Sequence, residues 1–225
     1  MWHGGAMPGK LPSLAAGLLV TGALAVPHGT AAAAPCPDVE AVFARGTFAP
    51  QGLGDTGQDF VDALRGKLGG KSLGVYAVVY PASTDFPTAV DGIRDASNHV
   101  TSMATTCPDT RLVLAGYSQG AAVMGFVTNS AVPGGVDPAD VPAPMPANVA
   151  DHVAAVVLFG KPDAEFMEFI DSPPVTIGPR YAGKTLELCA PGDPICSDGG
   201  EGKAHNSYTA NGMVDQGAAY AAGRV

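Results

Sequence analysis

From residue 39 onward the chain alternates short, nearly unbroken apolar runs with longer stretches in which apolar residues recur every three or four positions. Val39–Ala44 (VEAVFA), Val75–Tyr80 (VYAVVY), Leu112–Gly116 and Val153–Phe159 (VAAVVLF) are of the first kind, and Thr185–Leu188 is a shorter fifth. Short runs rich in β-branched and aromatic residues predict strands. Pro81 closes the second of them. Gln58–Leu68 sets Phe60, Val61, Leu64 and Leu68 on one face, which predicts a helix. Thr88–Ala104 repeats that spacing with Val90, Ile93, Val100 and Ala104. Gln119–Asn129 reads as a helix of small residues, and a last helix is predicted from Ala210.

Five buried strands separated by helices predict a parallel sheet covered on both faces, a three-layer α/β sandwich. Right-handed crossovers make such a sheet doubly wound. Function then gathers outside the carboxyl ends of the strands. Segment 131–147 (AVPGGVDPADVPAPMPA) holds five prolines and is expected to be an ordered surface loop or a flexible excursion. It need not divide the chain, so residues 35–225 are read as one domain.

The first 34 residues follow a different pattern. Leu11–Val26 is a 16-residue apolar stretch after Lys10, and the small-residue tract Ala31–Ala34 follows. The stretch is short of the roughly 20 residues of a membrane span. An export signal cut near Ala33 or Ala34 is the expectation, with a retained anchor as the alternative. Removing it takes one Lys and no acid, so the charge moves from 12 − 21 = −9 to 11 − 21 = −10. A surface this acidic excludes nucleic acid and anionic membranes as partners. Four cysteines remain, Cys36, Cys107, Cys189 and Cys196, and an even number in an exported chain implies disulfides. Three pairings exist. Cys189 and Cys196 flank Pro-Gly-Asp-Pro, where a local bridge is natural, and that leaves Cys36 with Cys107. No CxxC or HxxxH spacing favours zinc.

Residues 114–121 read LAGYSQGA. Within them Gly116-Tyr117-Ser118-Gln119-Gly120 fits G-x-S-x-G between a predicted strand and a predicted helix. A nucleophilic serine on a strained elbow needs that placement, whereas the pattern alone also describes an ordinary glycine-rich turn. A serine hydroxyl needs a base, and beyond residue 34 only His99, His152 and His205 are on offer. His99 falls inside a predicted helix and is expected to be solvated or on its surface. His152 opens a strand at the amino edge. His205 follows the last strand and is the choice. Asp193, in a loop stiffened by two prolines and a disulfide, is the expected orienting acid. Asp198 and Glu201, in the glycine stretch, are its rivals. The order Ser118, Asp193, His205 is that of α/β-hydrolases. An oxyanion hole needs two donors. The Gln119 backbone N–H is one. Thr47, after Arg45-Gly46, is a second candidate that reads equally well as a turn residue.

VFARGT at 42–47, GYSQG at 116–120, CAPGDPIC at 189–196 and His205 before Asn206-Ser207-Tyr208 together resemble the cutinase family of serine esterases, in particular the secreted cutinase-like proteins of actinobacteria. The resemblance spans residues 35–225. It implies a small α/β-hydrolase with a five-stranded parallel sheet and a Ser118-Asp193-His205 triad. It further implies an oxyanion hole of Thr47 and Gln119, and bridges Cys36–Cys107 and Cys189–Cys196. The chain departs from the family at Phe48-Ala49-Pro50, where members often carry an acidic residue, so a polar contact of the oxyanion loop is expected to be missing.

The activity expected is hydrolysis of carboxylic esters with short to medium acyl chains, cutin or another polyester included. It would be the work of a monomer outside the cell, with no metal or cofactor and no stable membrane insertion. A lipase, phospholipase A or thioesterase acting on envelope lipids is the alternative, and a non-catalytic lipid-binding surface antigen a further one. Loops Pro81–Thr88, with Phe86, and Ser197–Ala204 are the expected walls of the substrate site.

Overall fold

The computed structural model describes Gly9 and residues 35–225. The export signal expected over residues 1–34 lies outside the described residues. Five parallel strands are ordered β2-β1-β3-β4-β5, with β1 Val39–Ala44, β2 Leu73–Ala77, β3 Arg111–Tyr117, β4 Val153–Phe159 and β5 Thr185–Leu188. The expected α/β sandwich with a five-stranded parallel sheet is therefore the fold. In this order the chain reverses direction between β1 and β3, and the crevice beyond their carboxyl ends is where a doubly wound sheet binds ligands.

Why these residues form these layers follows from burial. β1 and β4 are buried along their whole length, as nearly unbroken apolar runs demand of central parallel strands. One face of the sheet carries α2 (Ala89–Thr106) and α3 (Gln119–Val127), packed on Val42, Leu114 and Leu158. The other carries α1 (Gly54–Lys67) and α7 (Met213–Ala222), packed on Phe43, Val113 and Val157. Alternate strand residues thus feed opposite cores. On α1 the predicted stripe of Phe60, Val61 and Leu64 is fully buried, and Phe60 meets Phe159 edge-on at 5.6 Å. Cutting Phe60 to Ala would cost about 3–5 kcal/mol.

The differences from the expected boundaries have local causes. The β-branched run of the second strand continues to Tyr80, yet β2 stops at Ala77. β1 ends at Ala44, so the partner ladder runs out after the Val78 N–H reaches the Phe43 carbonyl. From there Asp95 takes the Val79 N–H at 2.8 Å and Arg45 takes the following carbonyls. Three short helices, α4 (Ala164–Phe169), α5 (Pro179–Ala182) and α6 (Gly202–His205), are too brief to leave a periodic signature. The ring of His152 ends a 3₁₀ turn ahead of β4 and bonds the Pro108 carbonyl at 3.0 Å.

Candidate active site

The serine sits where strand becomes helix. β3 ends at Tyr117, and Ser118 precedes α3 with φ 56° and ψ −122°, one of four non-glycine residues with positive φ among the described residues. A backbone held there stores on the order of 1–3 kcal/mol. The flanking glycines are a steric requirement. A Cβ at Gly120 would lie 2.0 Å from the Ala44 carbonyl oxygen, and one at Gly116 would lie 2.3 Å from the Gly120 oxygen. The Ser118 N–H donates to the Phe159 carbonyl at 2.9 Å, which ties the elbow to the end of β4.

His205 ends α6 and faces that serine. Its Nε2 is 2.7 Å from Ser118 Oγ, and its Nδ1 is 2.8 Å from Asp193 Oδ2. Asp193 has no exposed surface. A carboxylate so buried needs donors, and it has them. The Ile195 N–H reaches Oδ1 at 2.9 Å and the Tyr208 hydroxyl reaches Oδ2 at 2.5 Å. Cys189 is bonded to Cys196 across this loop, and Cys36 to Cys107. Sulfurs in a disulfide offer no thiolate to a metal, so the closeness of Cys189, Asp193 and Cys196 is that of a bridge over a carboxylate. The rivals Asp198 and Glu201 are exposed, and Glu201 pairs with Lys203 at 2.5 Å.

Two tyrosines complete the frame, and sequence reasoning gave neither a role. Tyr117 stacks on the His205 ring with centroids 4.9 Å apart, and its hydroxyl donates to the His205 carbonyl at 2.7 Å. Burial pushes its pKa up to about 12. Burial, and then the bond to Asp193, also raise Tyr208. Both hydroxyls therefore stay protonated and donate. Tyr117 adjoins the serine, and Tyr208 lies one turn past His205. Those positions were the available signal.

The loop after β1 brings Thr47 to the same crevice. Its Oγ1 is 3.5 Å from Gln119 Oε1, and Gln119 Nε2 donates to the Ser83 carbonyl at 2.9 Å. As the first residue of α3, Gln119 has a backbone N–H with no acceptor inside the helix. Arg45 anchors the loop that carries Phe48-Ala49-Pro50. Its buried guanidinium donates to the carbonyls of Ala49 at 3.0 Å, Tyr80 at 2.6 Å and Pro81 at 3.2 Å, while the Tyr80 hydroxyl donates to the Arg45 carbonyl. Phe48 itself turns out to solvent, 75% exposed.

His99 differs from its expected solvated place. Its Nε2 meets Glu40 Oε2 at 2.8 Å, and its ring lies flat on Tyr76 with centroids 3.5 Å apart. Glu40 is a buried polar residue in a strand otherwise apolar, and it needs this partner.

A groove of about 720 Å³ opens beside Ser118 and His205. Phe86 and Pro87 of the expected wall line it, but nothing from 197–204 does. That stretch folds back on the Asp193 loop, where the Glu201 N–H bonds the Gly192 carbonyl at 3.1 Å, and so it positions His205 instead. The missing wall comes from the proline-rich segment, through Val132, Val136 and Val141, and from α4, through Phe166 and Met167. Asp163 caps α4 by accepting the Phe166 N–H at 2.8 Å.

An elbow serine after the third strand, with an acid and a histidine following in that chain order at the carboxyl edge, is the arrangement of an α/β-hydrolase. Residues 35–225 match the sequence model of the family described as Cutinase, and the chain belongs to that family. It is 62% identical over 168 residues to the probable carboxylesterase Culp5 of Mycobacterium tuberculosis, covering 75% of this chain and 96% of that one. To the phospholipase Culp4 of the same organism it is 46% identical over 230 residues, covering 100% of this chain and 95% of that one. Among solved structures, the catalytic core domain of Trichoderma reesei acetyl xylan esterase aligns with a TM-score of 0.68 at 25% identity, covering 85% of this chain and 100% of that one. The T. reesei cutinase in complex with a C11Y4 phosphonate inhibitor aligns with a TM-score of 0.61 at 34% identity, covering 83% and 76%.

Proposed function

We propose that the protein hydrolyses carboxylic esters through an acyl-enzyme on Ser118. The single observation that carries the reading is the unbroken chain from Ser118 Oγ to His205 to buried Asp193, at 2.7 Å and 2.8 Å, on a strained elbow. Ser118 Oγ attacks the ester carbonyl carbon as His205 Nε2 takes its proton. Asp193 holds the other ring nitrogen protonated and stabilises the imidazolium. The Gln119 N–H and Thr47 bind the oxyanion. His205 then returns the proton to the alcohol oxygen as the carbon–oxygen bond breaks. Water, deprotonated by the same imidazole, releases the acid and restores the serine. The machinery draws on no metal or cofactor.

The relatives named as carboxylesterases support this reading, as does the cutinase whose structure holds a phosphonate, a group that resembles the tetrahedral intermediate. A phospholipase activity is the second reading, favoured by the apolar groove and by the similarity to the phospholipase Culp4 along the whole chain. The enzyme works as a monomer outside the cytoplasm after cleavage near Ala33 or Ala34, which two disulfides favour. No helix among the described residues is long and apolar enough to cross a membrane.

The test is rapid mixing with p-nitrophenyl acetate. A burst of p-nitrophenol equal to the enzyme concentration, followed by steady turnover, is expected. Protein that releases none above the uncatalysed rate is a binding module rather than an enzyme, and the proposal falls.

A further inference from the structure

Arg45 is 4% exposed, yet no carboxylate among the described residues pairs with it. A buried charge normally has an ionic partner or a metal. The partners of Arg45 are backbone carbonyls. Its Nε donates to Ala49 at 3.0 Å, and its terminal nitrogens donate to Val78 at 3.4 Å, Tyr80 at 2.6 Å and Pro81 at 3.2 Å. The Tyr80 ring faces the guanidinium carbon at 5.0 Å. One planar fork thus joins two segments, the loop after β1 and residues 78–81.

The bonding continues along the second segment. The Ala82 carbonyl accepts the Phe48 N–H at 2.8 Å, and the Ser83 carbonyl accepts Gln119 Nε2 at 2.9 Å. The four consecutive carbonyls of residues 80–83 therefore hold loop 45–49 and the start of α3 together. In return the Tyr80 hydroxyl donates to the Arg45 carbonyl. Thr47 lies between the two anchored residues of its loop, and its Oγ1 is 3.5 Å from the same Gln119 side chain. The strip is itself fixed. Asp95 of α2 takes the Val79 N–H at 2.8 Å, and the Tyr80 ring lies so close on Gly92 that a Cβ there would come within 2.9 Å. Phe48 (φ 62°), Ala82 (φ 51°) and Ser118 (φ 56°) are three of the four non-glycine residues with positive φ among the described residues. Phe48 and Ala82 are bonded to each other. Strained backbone persists only where its surroundings over-determine it, and it gathers at functional sites.

We propose that Arg45 is a positioning residue for the oxyanion hole: by joining its own loop to residues 78–81 it sets the spacing between Thr47 and Gln119. The role rests on the ester hydrolysis proposed above, with those two residues as donors. It goes beyond that reading, because the elbow alone could place the Gln119 N–H. Displacement of a reacting group by about 1 Å can cost about 100-fold in rate. The task calls for the fork rather than the charge, since a lysine ammonium is a single point and cannot span both segments.

The experiment compares p-nitrophenyl butyrate with its thiono analogue, in which sulfur replaces the carbonyl oxygen, on the wild type, R45M, R45K and Y80F. Sulfur accepts hydrogen bonds poorly, so the thionoester draws little on the oxyanion donors. The oxo-to-thiono ratio of kcat/KM then reports how well those donors are placed. Acylation and deacylation both pass through an oxyanion, so R45M should lower kcat on the butyrate about 100-fold with KM within about three-fold. The ratio should fall with it, by at least about ten-fold. R45K should keep less than about a tenth of the wild-type kcat. Y80F, which deletes one hydroxyl and leaves the ring in place, should lower kcat about ten-fold and the ratio in the same direction. A fall in kcat at an unchanged ratio marks Arg45 as merely structural and overturns the role. Greater activity in R45K, or wild-type activity in R45M, overturns it as well. Each of these outcomes leaves ester hydrolysis standing, whereas a wild type that turns over neither ester defeats both readings. If R45M and R45K do not fold, Y80F decides alone.

Discussion

Two histidine–carboxylate pairs lie at opposite edges of one sheet, each with a 2.8 Å contact: His205–Asp193 at the carboxyl edge and His99–Glu40 at the amino edge. Both carboxylates are buried, and both rings stack on a tyrosine, Tyr117 for His205 and Tyr76 for His99. The pair alone therefore does not define a catalytic site. What differs is the second ring nitrogen of His205, which meets a serine whose backbone is held at positive φ. Glu40 lies in the second position of β1, where a partner is needed to offset burial of a charge. The same chemistry serves stability at one edge and proton transfer at the other.

The sharpest break between the two pairs is their effect on turnover. Ser118→Ala or His205→Ala should lower kcat by about 10⁴-fold or more, while His99→Gln should leave kcat within about three-fold. The thermal midpoint should do the reverse. His99→Gln leaves Glu40 poorly satisfied and should cost about 1–3 kcal/mol in urea unfolding. Next in size are the carboxylates. Asp193→Asn should lower kcat by up to about 10⁴-fold by fixing the wrong tautomer, and Glu40→Gln should not.

The disulfides extend the contrast from function to stability. Cys36–Cys107 spans 71 residues and Cys189–Cys196 spans 7. Loop entropy assigns them about 4 and about 2.5 kcal/mol respectively. Replacing the long bridge by alanines should lower stability and spare kcat. Replacing the short one should lower kcat about ten-fold with little change in KM, because Asp193 loses its frame. Unchanged kcat without the short bridge would separate Asp193 from that loop's stiffness.

The smallest expected effect is alkaline. Tyr117 and Tyr181 are pushed up to about 12, and Tyr208 is raised too, all by burial first. Unfolded tyrosines ionise near pH 10. The folded state keeps protons that the unfolded state releases, so this contribution is whole below about pH 10 and is lost as pH rises toward 12. Tyr117→Phe should flatten the fall in stability measured between those values.

Most of the sheet was legible because its strands are nearly unbroken apolar runs, as a doubly covered parallel sheet requires. The residues brought together at the serine were legible through local chemistry: glycines around Ser118, and a proline-bounded Asp193 between two cysteines. What was not legible depends on folding-back rather than pattern. Segment 131–147 has no period, so nothing in it announced that Val136 and Val141 line the groove. The loop 197–204 looked like a wall and instead holds His205 against Asp193. Arg45 read as part of a turn, and its role rests on carbonyls more than thirty residues away in sequence. His99 read as a surface residue because its partner, Glu40, lies in another element.

The most direct test of the central claim is fluorophosphonate labelling followed by peptide mapping, on the wild type, His205→Ala and His99→Gln. The account predicts one adduct on Ser118 in the wild type, the same adduct at a similar rate in His99→Gln, and a rate lowered at least about 10³-fold in His205→Ala. An adduct on another residue, or equal labelling of Ser118 without His205, would contradict it.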